Sequence, residues 1–270
     1  MTATTWARLT RSILCPQYAV RQIVRRLSIG SLDFRLAMGA LDRPHYAFGV
    51  NRAIYLASKL QQPKVSVIEF GVAEGKGLLV LERYAAELGR RAGIEVEVYG
   101  FDTGHGLPAA TADYRDLRYV WKQGAYRMDI AALKSRLKFA KLVLGNVEET
   151  VPEFARAGHA PIGFISFDLD YYSATAAAFQ IFAGPDSSIL PRVICYFDDV
   201  VSDGHQLHCD NVGELLAIRE FNESQDGRRF HTLAPMGLLN SNVMFPGLWA
   251  QQLWVYHRFQ HCEYNTYIGM

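Results

Sequence analysis

Short apolar runs that stop at a glycine or an acid alternate along this chain with longer stretches whose apolar residues recur at helical spacing. Lys64-Val-Ser-Val-Ile-Glu-Phe-Gly71 is the first such run, Ile94 to Phe101 the second and Lys141-Leu-Val-Leu-Gly145 the third. Gly163-Phe-Ile-Ser-Phe-Asp168 and Arg192-Val-Ile-Cys-Tyr-Phe-Asp198 follow, with Leu253 to Phe259 as a late strand. Runs of this kind suit strands buried on both faces of a parallel sheet. Between them, Leu78 to Leu88, Ile130 to Phe139, the stretch opened by Asn146, the stretch from Ala174 to Ile181, and Val212 to Phe221 predict helices. Residues 17–60 also read as helical, broken near Gly30 and at Leu41-Asp-Arg-Pro-His-Tyr46, where Pro44 predicts an extended Arg43. Residues 109–130, with Tyr114, Tyr119, Trp121 and Tyr126, keep no period and read as a loop or cap. The alternation predicts an α/β fold, a doubly wound sheet with helices on both faces and right-handed crossovers. Residues 1–60 form an N-terminal helical extension or lid in this reading, and 61–270 the main domain.

Composition narrows the picture. With 270 residues, 50% of them hydrophobic, the chain has enough apolar surface for one large core. A formal net charge of +1 supplies no basic field for a nucleic-acid partner. Cys15, Cys195, Cys209 and Cys262 are scattered and form no CxxC pair, which favours a reduced, cytoplasmic protein over a structural zinc site. No run of about twenty apolar residues exists to span a membrane. The segment 6–35 is rich in arginine, and Val20, Ile23, Val24 and Leu27 fall opposite Arg21, Arg25 and Arg26. Two readings stand for it, a helix packed on its own domain or on a second copy in a homodimer, and a peripheral membrane-surface helix.

The chemistry gathers where the strands end. Two buried strands run straight into acids, Asp168 and Asp170 on one and Asp198 and Asp199 on the other. Carboxylates placed there are costly unless a cation or hydrogen-bond donors meet them, and ligands bind at that edge of an open α/β sheet. With no cysteine or histidine cluster, the donors point to a hard ion, Mg²⁺ first and Mn²⁺ or Ca²⁺ next. The turn Glu69-Phe-Gly71-Val-Ala-Glu-Gly75-Lys-Gly77 lies between the first strand and its helix, where glycines admit a ligand and free N–H groups meet it. Its spacing is not GxGxxG. With Asp102 at the next strand end to accept from ribose hydroxyls, the turn suits a nucleoside without a pyrophosphate, and S-adenosylmethionine fits.

Five segments in order carry a resemblance. They are Val67-Ile-Glu-Phe-Gly-Val-Ala-Glu-Gly75, Gly100-Phe-Asp-Thr-Gly-His-Gly-Leu-Pro108, Gly145-Asn-Val-Glu-Glu-Thr-Val-Pro152, Phe167-Asp-Leu-Asp-Tyr-Tyr-Ser-Ala-Thr175 and Phe197-Asp-Asp199. Over roughly residues 64–222 the chain resembles the macrocin-type O-methyltransferases, metal-dependent class I S-adenosylmethionine enzymes that methylate sugar hydroxyls of macrolide antibiotics. The resemblance implies a Rossmann-like methyltransferase sheet. It implies donor binding by Glu69, Gly71, Val72, Ala73, Glu74, Gly75 and Gly77, by Asp102 and Thr103 at the ribose, and by Asn146 and Val147 beside the adenine. It implies Asp168, Asp198 and Asp199 as magnesium ligands, with Asp168 also near the donor's amino group. The loop after Asp102 departs from the family, reading Thr103-Gly-His-Gly in place of Ser-Phe-Glu-Gly. Arg43-Pro-His-Tyr-Ala-Phe-Gly49 and His257 to Asn265 look instead like stretches of uncharacterised bacterial relatives.

The expected activity is Mg²⁺-dependent O-methylation of a small-molecule hydroxyl, on a sugar of a natural product or glycan. His205 and His208, which follow the acids, are candidate general bases beside Asp168. Asp170 is expected to turn toward the following helix with Ser173 and Thr175. Two rivals stand. One is a nucleotide-sugar glycosyltransferase that uses Asp168-Leu-Asp170 as a metal-chelating DxD. The other is a non-catalytic binding protein that keeps the fold.

Overall fold

The computed structural model describes residues 16–109, 113–201, 207, 209–224, 226–233 and 248–269. Three helices lead the chain, α1 (Pro16–Leu27), α2 (Leu32–Ala37) and α3 (Pro44–Lys59). Then come β1 (Lys64–Phe70), α4 (Lys76–Ala92), β2 (Glu95–Asp102), α5 (Ile130–Arg136), β3 (Lys141–Leu144) and α6 (Val147–Ala157). The second half holds β4 (Ile162–Phe167), α7 (Tyr172–Ala178), β5 (Ile189–Phe197), α8 (Gly213–Ser224), β6 (Arg228–Thr232) and β7 (Leu253–Arg258).

The strands form one seven-stranded sheet in the order β3-β2-β1-β4-β5-β7-β6. The first five are parallel, and β7 runs antiparallel between β5 and β6. The strand order reverses at β1, which pairs with β2 on one side and β4 on the other. Such a switch point opens a crevice at the carboxyl ends of the strands.

Successive side chains of a strand face opposite ways, so each central strand feeds two cores. Val65 and Val67 join Tyr46, Val50, Leu78 and Leu81 on the face covered by α3 and α4. Ile68 and Phe70 join Val151, Phe179, Phe182 and Ala217 on the face covered by α6, α7 and α8. The α3 segment, assigned by sequence to the extension, is thus part of the sheet's own core: Tyr46, Ala47 and Val50 are wholly buried.

One row of aromatics sets the edge of the sheet. Phe101, Phe70, Phe167 and Phe197 are register partners on adjacent strands β2, β1, β4 and β5. Their rings stand 4.8, 5.3 and 4.7 Å apart, in the range of favourable aromatic pairs. The next residues in sequence are Asp102, Gly71, Asp168 and Asp198, so the row brings these four side by side at the crevice.

Three elements depart from the sequence reading. Arg43 is not extended but left-handed (φ 44, ψ 67), and its carbonyl accepts from the N–H groups of Tyr46 and Ala47. Proline at the next position disfavours the right-handed helical region, and the left-handed region supplies the sharp entry that α3 needs. Strand β6 has only one buried residue, Phe230, so it carried no apolar run to find. Among the described side chains of α1 only Val24 is buried, while Val20, Ile23 and Leu27 are exposed; Arg21 donates to the Gly39 carbonyl and Arg25 pairs with Asp42. No described helix is long and apolar enough to cross a membrane.

Candidate active site

The crevice holds a cavity of about 420 Å³, within the usual range of small-molecule sites. Its floor is the β1–α4 turn. Gly71 is left-handed (φ 82), as are Ala73 and Gly75, and the Gly71 N–H donates to the Phe101 carbonyl at 2.9 Å. Asp102 ties this turn to the next loop. Its Oδ2 accepts from the N–H groups of Val72 and Ala73 at 2.9 and 2.8 Å, and its Oδ1 from Gly104 at 2.6 Å. A carboxylate offers about four lone-pair sites, so Asp102 still has room to accept from a ligand.

Of the residues assigned to the donor by resemblance, Gly71, Ala73, Asp102, Thr103, Asn146, Val147 and Asp168 line the cavity. Val72, Gly75 and Gly77 shape the turn behind it, and Glu74 faces solvent, paired with Lys76 at 2.5 Å. Glu69 lies beneath the turn, 2% exposed, where its Oε1 accepts from the Tyr46 hydroxyl at 2.5 Å. A Cβ on Gly77 would overlap that carboxylate, which is why the first turn of α4 carries a glycine there. Burial, offset in part by Tyr46 and Arg43, pushes the Glu69 carboxyl up to about 7.

The cavity is also acidic. Asp168, Asp170, Asp198 and Asp199 all line it, and with Asp102 they give the cavity five carboxylates and no lysine or arginine among the described residues. Ligand oxygens of Asp168, Asp170 and Asp199 lie within 4.8 Å of one another. Asp198 stands beside this group with its Oδ1 held by the Tyr196 hydroxyl at 2.6 Å. The expected turn of Asp170 toward α7 is not what the structure holds. A left-handed backbone (φ 63) accompanies its place in the acidic wall, while Ser173 bonds Asp116 and Thr175 donates to the Tyr171 carbonyl. His205 and His208 lie outside the described residues. His257 and His261 serve the C-terminal segment, the first bonded to the Tyr264 hydroxyl and the second to the carbonyls of Asp186 and Ile189.

Burial, then the charges of Asp199 and Asp198, push the Asp170 carboxyl up to about 8. Burial, then Asp198, push Asp199 up to about 7, and Asp168 is raised by burial and by Asp198, Asp170 and Asp199. Crowded carboxylates without a counter-charge retain protons, so this donor set fits a hard divalent cation.

One further buried acid was not visible in the sequence. Glu214, in the first turn of α8, is fully buried, and its Oε2 accepts from the Asp199 backbone N–H at 2.9 Å. Burial, then Asp199, raise its carboxyl. A glycine before an acid at a helix start was its only trace. Glu214→Ala is expected to weaken Mg²⁺ binding to the donor-free chain by about ten- to a hundredfold, as for other groups that orient a ligand residue. Glu214→Gln keeps an acceptor for that N–H and should stay close to the parent in the same calorimetric titration.

The lid comes from the unperiodic stretch: Trp121 and Tyr126 line the cavity, and the Tyr171 hydroxyl donates to the Pro108 carbonyl at 3.2 Å.

No protein-family profile matches the sequence, and no curated protein matches it. Solved structures do. The calicheamicin methyltransferase CalS11 superposes with a TM-score of 0.51 at 22% identity, covering 78% of each chain. A Bacillus cereus O-methyltransferase solved with S-adenosylhomocysteine gives 0.43 at 15% identity, over 88% of this chain and 96% of that one. The O-methyltransferase TomG of Streptomyces achromogenes, solved with S-adenosylmethionine, gives 0.42 at 12%, over 95% and 98%. At 22% identity the CalS11 likeness is one of fold, a mixed seven-stranded Rossmann-like sheet of the class I methyltransferase type.

Proposed function

We propose that this chain is a cation-dependent O-methyltransferase that moves the methyl group of S-adenosylmethionine to a hydroxyl of a small molecule, on a sugar of a natural product or glycan. The observation that carries it is the cavity itself: five carboxylates and no described cationic side chain, facing a left-handed glycine turn at the sheet's switch point. The Gly71–Ala73 backbone takes the methionine end in this reading, Asp102 the ribose, and Asn146 with Val147 at the start of α6 the adenine. Trp121 and Tyr126 offer the flat apolar walls against which a sugar ring packs. The three described cysteines are free, in keeping with a cytoplasmic protein.

Asp168 and Asp199 belong to both the triad implied by resemblance and the triad grouped in space, which supports them as cation ligands in this reading. Asp170 and Asp198 exchange the third place. A bound divalent cation would supply charge neutralisation and lower the pKa of a hydroxyl it touches. The carboxylate left outside the coordination set would be free to take the proton of the acceptor hydroxyl. Asp170→Asn and Asp198→Asn are therefore expected to differ. One lowers Mg²⁺ affinity, and the other lowers turnover at saturating Mg²⁺ by about a hundredfold or more. Identical behaviour of the two variants would remove this division of labour.

The cation also ties stability to pH. Folded values of about 8 for Asp170 and about 7 for Asp199, against 3.8 unfolded, mean that the folded chain keeps protons the unfolded chain releases. Stability of the cation-free chain therefore falls as pH rises through this range. His45, lowered to about 3 from 6.5 by burial and Arg43, acts with the opposite sign below pH 6.5, so the clean window runs from about 6.5 to about 8. Thermal melts in chelator should fall across that window, and the increment from Mg²⁺ should grow. An increment that shrinks with pH would contradict the cation site.

The glycosyltransferase reading needs several cationic donors for a diphosphate; the described lining has no lysine or arginine, and Arg43, near Glu69, stands outside it. The functional test is transfer of a labelled methyl group to a panel of sugars with vicinal hydroxyls. Product is expected only with free divalent cation, and full transfer in excess chelator would sink the cation mechanism.

A further inference from the structure

Helix α3 begins with Arg43-Pro-His-Tyr46, and its first turn stands against the acids at the ends of β1 and β4. Tyr46 anchors it. The Tyr46 hydroxyl donates to Glu69 Oε1 at 2.5 Å and accepts from Ser166 Oγ at 3.2 Å. Arg43 is half-buried, with its guanidinium carbon 5.2 Å from the centre of the Tyr46 ring and its Nη1 3.4 Å from the Tyr46 hydroxyl. Glu69 and Asp168 are the carboxylates whose charge reaches it. It forms no ion pair with either within 4.0 Å. A guanidinium carries five N–H donors in a fork that matches a carboxylate, and only one of these is in use, at long range.

His45 adds a second, separate observation. It is 7% exposed and stacks on Tyr196 at 3.9 Å, with an angle of 14° between the rings. Neither of its ring nitrogens has a hydrogen-bond partner. Buried polar groups are nearly always satisfied, and an exception calls for an explanation. Two sets of unspent donors therefore lie on one short segment, with Arg43 in electrostatic reach of Glu69 and Asp168.

The chemistry that fits this juxtaposition is an amino acid's zwitterion, with an ammonium and a carboxylate on one carbon. Glu69 and Asp168 suit the ammonium. Arg43 and His45 suit the carboxylate, the first by charge and fork geometry, the second by its N–H. We propose that Arg43, assisted by His45, receives the α-carboxylate at the methionine end of S-adenosylmethionine, opposite Glu69 and Asp168. The proposal rests on the donor reading above and goes beyond the glycine turn, because it makes the entry to α3 a determinant of ligand choice. A nucleoside thioether without the amino-acid end gains nothing from this anchor. The left-handed backbone of Arg43 belongs to the same device, since strained residues concentrate at ligand clamps.

The test compares two ligands that differ only at that end, S-adenosylhomocysteine and 5′-methylthioadenosine, by calorimetric titration of the full chain. Arg43→Gln is expected to weaken S-adenosylhomocysteine by about tenfold to a hundredfold, the loss of a charged hydrogen-bonded contact. Binding of 5′-methylthioadenosine should stay within about threefold of the parent. Arg43→Lys, which keeps the charge without the fork, should fall between the two. His45→Phe, which keeps the stack on Tyr196, should show a smaller loss for S-adenosylhomocysteine alone. Equal losses for both ligands in Arg43→Gln would mark a structural role and overturn the assignment, as would unchanged binding of S-adenosylhomocysteine. A parent chain that binds neither ligand would overturn the donor reading itself, and this assignment with it. That outcome is visible before any variant is made.

Discussion

Asp199→Asn is expected to abolish cation-dependent methyl transfer, by about a thousandfold or more, while leaving S-adenosylhomocysteine binding within a few-fold of the parent. Asp199 belongs to the oxygen triad with Asp168 and Asp170 and is not among the residues that would hold the donor. The replacement keeps the side chain's shape, and the backbone N–H that Glu214 accepts is untouched. It removes one negative charge from a buried acidic wall. Without cation, the variant should therefore melt no lower than the parent, because like-charge crowding is relieved. The stabilisation that Mg²⁺ gives the parent should vanish. Three readouts thus move differently: turnover collapses, metal-induced stability disappears and metal-free stability holds. A general loss of folding would lower all of them together.

Gly71→Val should be the most damaging change in the donor turn. Gly71 has φ +82, and a Cβ there would overlap the Asp168 carbonyl oxygen. The left-handed backbone alone costs a β-branched residue about 1–3 kcal/mol. The overlap adds to that, because it meets backbone at the end of β4, whose Asp168 N–H donates to the Phe70 carbonyl at 3.0 Å. Relief requires β1 and β4 to part where Asp168 meets the glycine turn. The expected outcome is a loss of more than about 3 kcal/mol in urea unfolding and no measurable donor binding. Gly93→Ala is the control. Gly93 is also left-handed (φ +69), but a Cβ added there would meet nothing within 4 Å, so it should lose only about 1–2 kcal/mol. Equal losses at the two sites would mean that backbone strain, and not the approach of Asp168, governs Gly71.

What could be read from the sequence follows from how each feature is encoded. β1, β4 and β5 are buried on both faces, so their apolar runs stand out, and the acids that end them mark the crevice without any tertiary knowledge. The pairing of Gly71 with Asp102 was likewise legible, because a glycine turn and an acid at adjacent strand ends are local patterns. Other features depend on contacts between distant segments. Glu214 looks like any helix-start acid until α8 packs it under Asp199. Asp170 follows the end of β4, and Ser173 and Thr175 on the next helix offered it partners; a left-handed backbone at Asp170 accompanies its place in the cluster with Asp168 instead. Arg43 was read as extended from its proline neighbour, whereas the entry to α3 demands a sharper turn. β6 holds its place through β7 pairing and the clamp of Asn222 on the Phe230 backbone at 2.9 and 2.7 Å, neither of which leaves a periodic trace.

The central claim is that the crevice is built for a methyl donor beside a divalent cation. Its most direct test is calorimetric titration of the parent chain, in Mg²⁺, with S-adenosylhomocysteine and separately with a nucleoside diphosphate sugar. The expected result is saturable micromolar binding of S-adenosylhomocysteine at one site per chain and no heat from the nucleotide sugar. Binding of the nucleotide sugar with no response to S-adenosylhomocysteine would contradict it.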